Sequence, residues 1–180
     1  MNKLKISQVQ FQASHVPALN AKIIEKSFNN TLKFKPHLIC TPECSNIITN
    51  DKSYLIFNAP YQNTCPVLKM AKDFAKKNKV NINLGSLLLR IKNKSKLVNR
   101  SFFINNYGVI KKTYDKIHMF DVEINNKEKH QESSLFKAGN KIIFTKINNI
   151  KLGMTICYDL RFPNLYRQLA KKDCAIILVP

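Results

Sequence analysis

An α/β fold is what this sequence predicts, and two stretches carry the prediction. Near the start, an alternating apolar segment, a helical-period segment and a short apolar run follow one another as strand, helix and strand. Near the end, NIKLGMTICYDLRFPNLYRQLAKKDCAIILVP reads as strand, sharp turn, helix and strand. Strand–helix–strand order is the signature of parallel pairing through crossover helices.

Leu4 to Gln12 alternates apolar and polar residues and is the opening strand, with Ile6 and Phe11 directed to the core. Leu19, Ile23, Ile24, Phe28 and Leu32 recur at three and four residues, which predicts an amphipathic helix ending near Lys35 and Pro36. Leu38-Ile39-Cys40 is a short second strand; Pro42 removes a ladder donor, so Glu43 falls just beyond the sheet edge. Ile47 to Asn58 reads as irregular with a helical turn or two. Val67, Leu68, Ala71, Phe74 and Ala75 predict a second amphipathic helix over Cys65 to Lys77.

Val80 to Ile91 and Leu97 to Ile104 read as hairpin arms around a polar turn, and Val109 to Tyr114 as a further strand. Asp115 to Asn140 is rich in charge and poor in apolar period, so it reads as a long loop, of a length that is usually functional or disordered. Lys141 to Ile147 and Ile150 to Ile156 form a hairpin that delivers Cys157 to the end of a strand. Asp159 is placed to cap the next helix, whose first turn accommodates Pro163 because that turn has N–H groups without acceptors. Ala175 to Val179 reads as a fully buried strand.

At 180 residues the chain is long enough for one domain that buries roughly 70% of its unfolded surface. Five cysteines, with no secretory leader pattern, favour a reducing, cytoplasmic setting. Cys40 and Cys44 lack a second pair or a histidine at zinc spacing, so neither a metal nor any other cofactor is expected. No apolar run is long enough to span a bilayer. The net charge of +19 invites a nucleic-acid reading, but the charge is nearly all lysine and scattered, while Arg90, Arg100, Arg161 and Arg167 are dispersed. Without arginine forks or aromatic platforms, solvated lysine faces account for it better.

Glu43, Lys116 and Cys157 lie at strand exits or in the intervening loop, with Glu132 as a fourth. A thiol attacking an amide carbon needs a base for its proton and a positive group beside the developing oxyanion. Glu43 suits the first task and Lys116 the second, and Lys116 is also expected to favour the thiolate. Taken alone, a cysteine is more often a small buried hydrophobe, and a turn glutamate or lysine is mostly solvated surface.

Three segments change that balance, because together they resemble the nitrilase-type carbon–nitrogen hydrolases. TPEC at Thr41 to Cys44 is similar to the family's glutamate segment, YDKIHMFDVEI at Tyr114 to Ile124 to its lysine segment, and GMTICYDLRFP at Gly153 to Pro163 to its nucleophile segment. QES at Gln131 to Ser133, followed by Phe136 and Gly139, extends the likeness. The resemblance implies an αββα sandwich of two sheets between outer helices. It implies Glu43 as general base, Lys116 as stabiliser of the tetrahedral intermediate, Cys157 as the nucleophile that forms a thioester, and Glu132 as the group that orients the lysine. The Tyr158 backbone N–H would be a second oxyanion donor.

Within the family, the likeness is to the amidase branch that hydrolyses ω-amides of 2-oxo acids or deaminated glutathione, releasing ammonia. The expected partners are a small carboxylate-bearing amide and water, in a homo-oligomer of full-length chains. Arg161 suits a substrate carboxylate through two parallel hydrogen bonds, and equally a helix cap or a subunit surface. Family members run roughly another hundred residues, as the resemblance implies, so residues 1–180 read as one carbon–nitrogen hydrolase domain, its N-terminal two thirds. An inactive remnant of the family and a lysine-rich nucleic-acid binder are the rival readings.

Overall fold

The computed structural model describes residues 3–125 and 128–180. β1 (Ile6–Gln8), α1 (Pro17–Thr31) and β2 (Leu38–Cys40) form the first crossover unit. α2 (Lys52–Asn58) and α3 (Pro66–Asn78) lead into β3 (Asn81–Arg90), β4 (Leu97–Ile104) and β5 (Ile110–Asp115). These five strands make one sheet in sequence order, parallel from β1 to β3 and antiparallel from β3 to β5. β8 (Ile143–Ile147), β9 (Ile150–Met154) and β10 (Ile176–Leu178) make a second sheet, in which α4 (Pro163–Ala170) connects the parallel pair β9 and β10.

Side-chain alternation stacks these pieces in four layers. Ile39 of β2, Ile82 and Leu84 of β3, and Phe102 and Ile104 of β4 face Ile24 and Phe28 of α1 and Ala71 and Phe74 of α3. The Phe28 and Phe74 rings meet edge to face at 5.2 Å. On the opposite face, Leu38, Phe103 and Tyr114 pack against Leu152, Met154 and Leu178 of the second sheet. Gly153 points outward between these inward residues, and a methyl there would meet Leu169 of α4 at 2.9 Å. The order is helices, sheet, sheet, helix, the expected αββα sandwich. It also explains why β2 reads as a continuous apolar run: both of its faces are covered.

Several expectations change in detail. The opening strand is only three residues long, and Leu19, read as a core position of the first helix, is 47% exposed while Ile24 and Phe28 are buried. The closing strand is shorter than the run 175–179, and it is not fully buried. Ile176 and Ile177 are partly exposed, and β10 pairs with β9 alone among the described strands.

The loop expected over 115–140 contains a two-stranded ribbon, β6 (Asp121–Asn125) and β7 (Glu128–Gln131), paired through Val122 and His130. That ribbon carries too little apolar alternation to be read as strand. The part of the loop expectation that falls on Asn126 and Lys127 lies outside the described residues. Among the described residues no helix is long and apolar enough to cross a membrane.

Candidate active site

The turn that carries Glu43 is held by β3 rather than by its own strand. After β2 the chain turns, and the Thr41 N–H donates to the Asn83 carbonyl at 3.0 Å. β3 carries an extra residue at Gly85-Ser86, where its register with β4 slips between Leu84 and Leu87. That bulge turns the Ser86 hydroxyl toward the glutamate turn, where it accepts from the Cys44 N–H at 2.9 Å; the Gly85 N–H donates to Thr41 Oγ1 at 3.0 Å. Only glycine fits at 85, because a Cβ there would stand 2.2 Å from the Thr41 carbonyl oxygen.

Lys116 follows β5 and is 2% exposed. Its Nζ donates to Glu132 Oε1 at 3.0 Å and Oε2 at 2.9 Å, and to Glu43 Oε1 at 3.2 Å. Burial works to lower the lysine's pKa, but the Glu43 charge and the Glu132 contacts outweigh it and hold the group above the ordinary lysine range. Glu132 is presented by the ribbon: the Phe120 N–H donates to its Oε2 at 2.6 Å, and its own N–H donates to the Phe120 carbonyl at 3.3 Å. The base of the ribbon therefore fixes the carboxylate that grips the lysine.

Cys157 follows the second sheet by three residues and is exposed, with φ +45 in the left-handed region. Such a conformation costs a non-glycine residue roughly 1–2 kcal/mol, and here it lifts the side chain out of the strand toward Glu43 and Lys116. The Cys157 N–H is anchored to the Pro180 oxygen at 2.9 Å. Among the described residues the Tyr158 N–H has no intramolecular acceptor, as an oxyanion donor requires.

The thiol departs from one expectation. Although the residue is exposed, the sulfur's partial loss of water contact and the Glu43 charge push its pKa up against the downward pull of Lys116, so the protonated form is favoured at rest. The sulfur's loss of water contact is the largest cause and the Glu43 charge the next, while the pull of Lys116 is shared with two carboxylates. A thiol beside the Glu43 side chain is the starting state for general-base activation rather than for a standing thiolate.

The structure therefore brings Glu43, Lys116, Glu132 and Cys157 together. Arg161 is exposed, and among the described residues it has no ion pair or hydrogen-bonding partner through its side chain. Asp159 does not cap α4; it is fully buried and binds backward, to Ile156 and across to Tyr114 and His118. Sequence reasoning also missed Asn99, whose Nδ2 donates to Glu43 Oε1 at 2.8 Å and whose carbonyl accepts from the Lys116 N–H at 3.0 Å. One asparagine among many on a predicted strand gives no signal of that role. Among the described residues no three His, Cys, Asp or Glu side chains are grouped to hold a metal ion.

A cysteine, two glutamates and a lysine thus meet at one end of an αββα sandwich. The chain belongs to the carbon–nitrogen hydrolase family, whose model matches residues 6–180. It is 34% identical over 187 residues to the deaminated glutathione amidase of Dictyostelium discoideum, covering 100% of this chain and 64% of that protein. Over 182 residues it is 26% identical to an omega-amidase of Xenopus tropicalis, again covering 100% of this chain and 64% of the relative. An amidase from Nesterenkonia sp. AN1 shares the fold with a TM-score of 0.83 at 17% identity, covering 99% of this chain and 66% of that one. The chain thus spans just under two thirds of the length of these curated relatives.

Proposed function

We propose that this protein is part of a thiol-dependent amidase that hydrolyses the C–N bond of a small carboxylate-bearing amide. The observation that carries the reading is the Lys116 ammonium clamped between Glu132 and Glu43 beside an exposed Cys157. Glu43 takes the Cys157 proton as Sγ attacks the amide carbon. Lys116 and the Tyr158 N–H stabilise the resulting oxyanion. Glu43 then passes the proton to the leaving nitrogen, the C–N bond breaks, ammonia departs and a thioester remains. Water, deprotonated by Glu43, attacks the thioester; the C–S bond breaks and the thiol regains its proton, leaving a carboxylic acid.

Arg161 supports the carboxylate preference, since its exposed guanidinium is uncommitted among the described residues. The names of the relatives fit the same substrate class. The test is ammonia release from short ω-amides by the chain and by Cys157→Ala, with intact mass after rapid quench. Ammonia and an acyl adduct on Cys157, both absent in the variant, are the expected result. Ammonia release that survives Cys157→Ala, or neither ammonia nor adduct from the parent, would overturn the proposal.

A further inference from the structure

Behind the reacting groups lies a buried polar cluster that the chemistry above does not use. Asp159, 0% exposed, receives four donors, two on each oxygen. Oδ1 accepts from the His118 N–H at 3.0 Å and contacts His118 Nδ1 at 2.7 Å; Oδ2 accepts from the Tyr114 hydroxyl at 2.6 Å and the Ile156 N–H at 2.9 Å. A carboxylate has no proton to give, so the imidazole proton sits on Nδ1. Burial, followed by the hydrogen bond to Asp159, pushes the Tyr114 pKa far up, so that hydroxyl remains a donor.

The partners bracket the catalytic groups. Tyr114 and His118 stand two residues before and two residues after Lys116, while Ile156 and Asp159 flank Cys157. One carboxylate therefore spans the lysine segment and the nucleophile turn, which are 41 residues apart along the chain at the His118–Asp159 contact. The outer side of the cluster is closed by Phe162, whose ring stacks on His118 at 3.7 Å with 7° between planes. Asp159 thus bonds to both segments, to Tyr114 and His118 in one and to Ile156 in the other.

We infer that Asp159 is a positioning residue, which through Tyr114 and His118 fixes the Lys116 ammonium at its working distance from the Cys157 sulfur. The inference rests on the amidase reading for its consequence in turnover, but not for its consequence in thiol reactivity. The groups acting on the thiol are Glu43, Lys116 and Glu132, and among them Lys116 alone favours the thiolate. Loosening the lysine or the strained turn therefore leaves the thiol protonated to higher pH.

The test measures alkylation of Cys157 by iodoacetamide against pH, followed on the Cys157 peptide by mass, in Asp159→Asn, His118→Leu and His118→Asn, each with a thermal melt. Asp159→Asn turns one accepting oxygen into a donor facing donors. His118→Leu removes the ring contact, whereas His118→Asn returns an N–H near the place of Nδ1. The expected result is a pH profile displaced upward by about one unit, hence roughly tenfold slower alkylation near pH 8, in Asp159→Asn and His118→Leu. His118→Asn should restore the rate to within about twofold of the parent.

Unshifted profiles in cooperatively melting variants would overturn the inference, as would a His118→Asn profile matching His118→Leu. If Asp159→Asn does not melt cooperatively, the two His118 variants decide, because that ring is partly exposed. Ammonia release from ω-amides is scored separately. Shifted profiles without ammonia from the parent would remove the amidase reading and keep Asp159 as a positioning residue; ammonia with unshifted profiles would do the reverse.

Discussion

Lys116 is the residue with most at stake in the proposed mechanism, because a buried ammonium facing two carboxylates serves both structure and chemistry. Breaking such a buried set by removing one member typically costs about 3–5 kcal/mol, since the remaining charges lose their partner. Lys116→Ala is therefore expected to melt earlier. Its kcat in an active form should fall about 100-fold to 1,000-fold, the usual loss when an oxyanion donor is removed. The variant should also alkylate more slowly at Cys157 near pH 8, because Lys116 is the group pulling that thiol's pKa down. Turnover and alkylation rates within twofold of the parent would show that the stabilising charge comes from another residue.

Among elements, the bulge in β3 sets where Glu43 sits. A methyl at Gly85 would meet the Thr41 and Pro42 carbonyl oxygens at 2.2 and 2.6 Å, both backbone atoms that cannot swing aside. Gly85→Ala is expected to cost about 1–3 kcal/mol, the usual penalty of overpacking, and to lower turnover further by pushing the glutamate turn away from Lys116. Gly153→Ala is the matched control: its methyl would meet Leu169 and Ile177 side-chain tips at 2.9 to 3.0 Å, which can rotate. Paired melting curves and rates check this, and a milder effect at Gly85 than at Gly153 would contradict it.

The same elements show what the sequence discloses. Ile24, Phe28, Ala71 and Phe74 announced their helices because a buried helical stripe imposes its period on the residues. β4 was legible to the residue from its apolar ends, Leu97-Val98 and Phe102-Phe103-Ile104, set between polar turns. Glu43, Lys116, Glu132 and Cys157 were legible through segment likeness, and the structure brings them together. The ribbon of β6 and β7 was not, because hydrogen bonds at its base, not apolar alternation, hold it in place. Asn99 and the backward bonds of Asp159 were equally silent, since a polar side chain's partner 40 or more residues away leaves no mark on local pattern.

For the whole molecule, the buried thiols make stability depend on alkaline pH. Burial pushes Cys40 from the ordinary 9.0 up to about 12 and Cys65 up to about 11, and it raises Cys44 as well. Because these folded-state values lie above the unfolded one, their contribution is intact below pH 9. It is lost as pH rises toward 11 and 12, where the unfolded chain releases protons that the folded chain retains. At pH 10 one such thiol weakens the fold by about 1.4 kcal/mol, a fall in Tm of ~3 °C. Melts from pH 8 to 11 should decline accordingly, and Cys65→Ala should decline less steeply; a flat profile would contradict the assignment. Charge adds a second handle: with a net +19, added sodium chloride should raise Tm by screening lysine repulsion.

One more consequence follows from the bond between the Cys157 N–H and the Pro180 oxygen. β10 is three residues long, has one described neighbour, and ends beside Val179, which is 44% exposed. Short, lightly covered edges are where local opening is cheapest. Yet the same strand end ties down the backbone of Cys157, with the Thr155 N–H held one step earlier by Leu178 at 3.1 Å. An opening of β10 would release the nucleophile's left-handed backbone from its tether. Deuterium uptake should therefore find the amide of Cys157 slow to exchange despite its exposed side chain, and exchanging in step with Ile176 to Leu178. Fast uptake at Cys157 while β10 stays protected would show that the turn holds its shape unaided. Concerted uptake would mean that the reactive geometry exists only for the fraction of time this strand end stays closed.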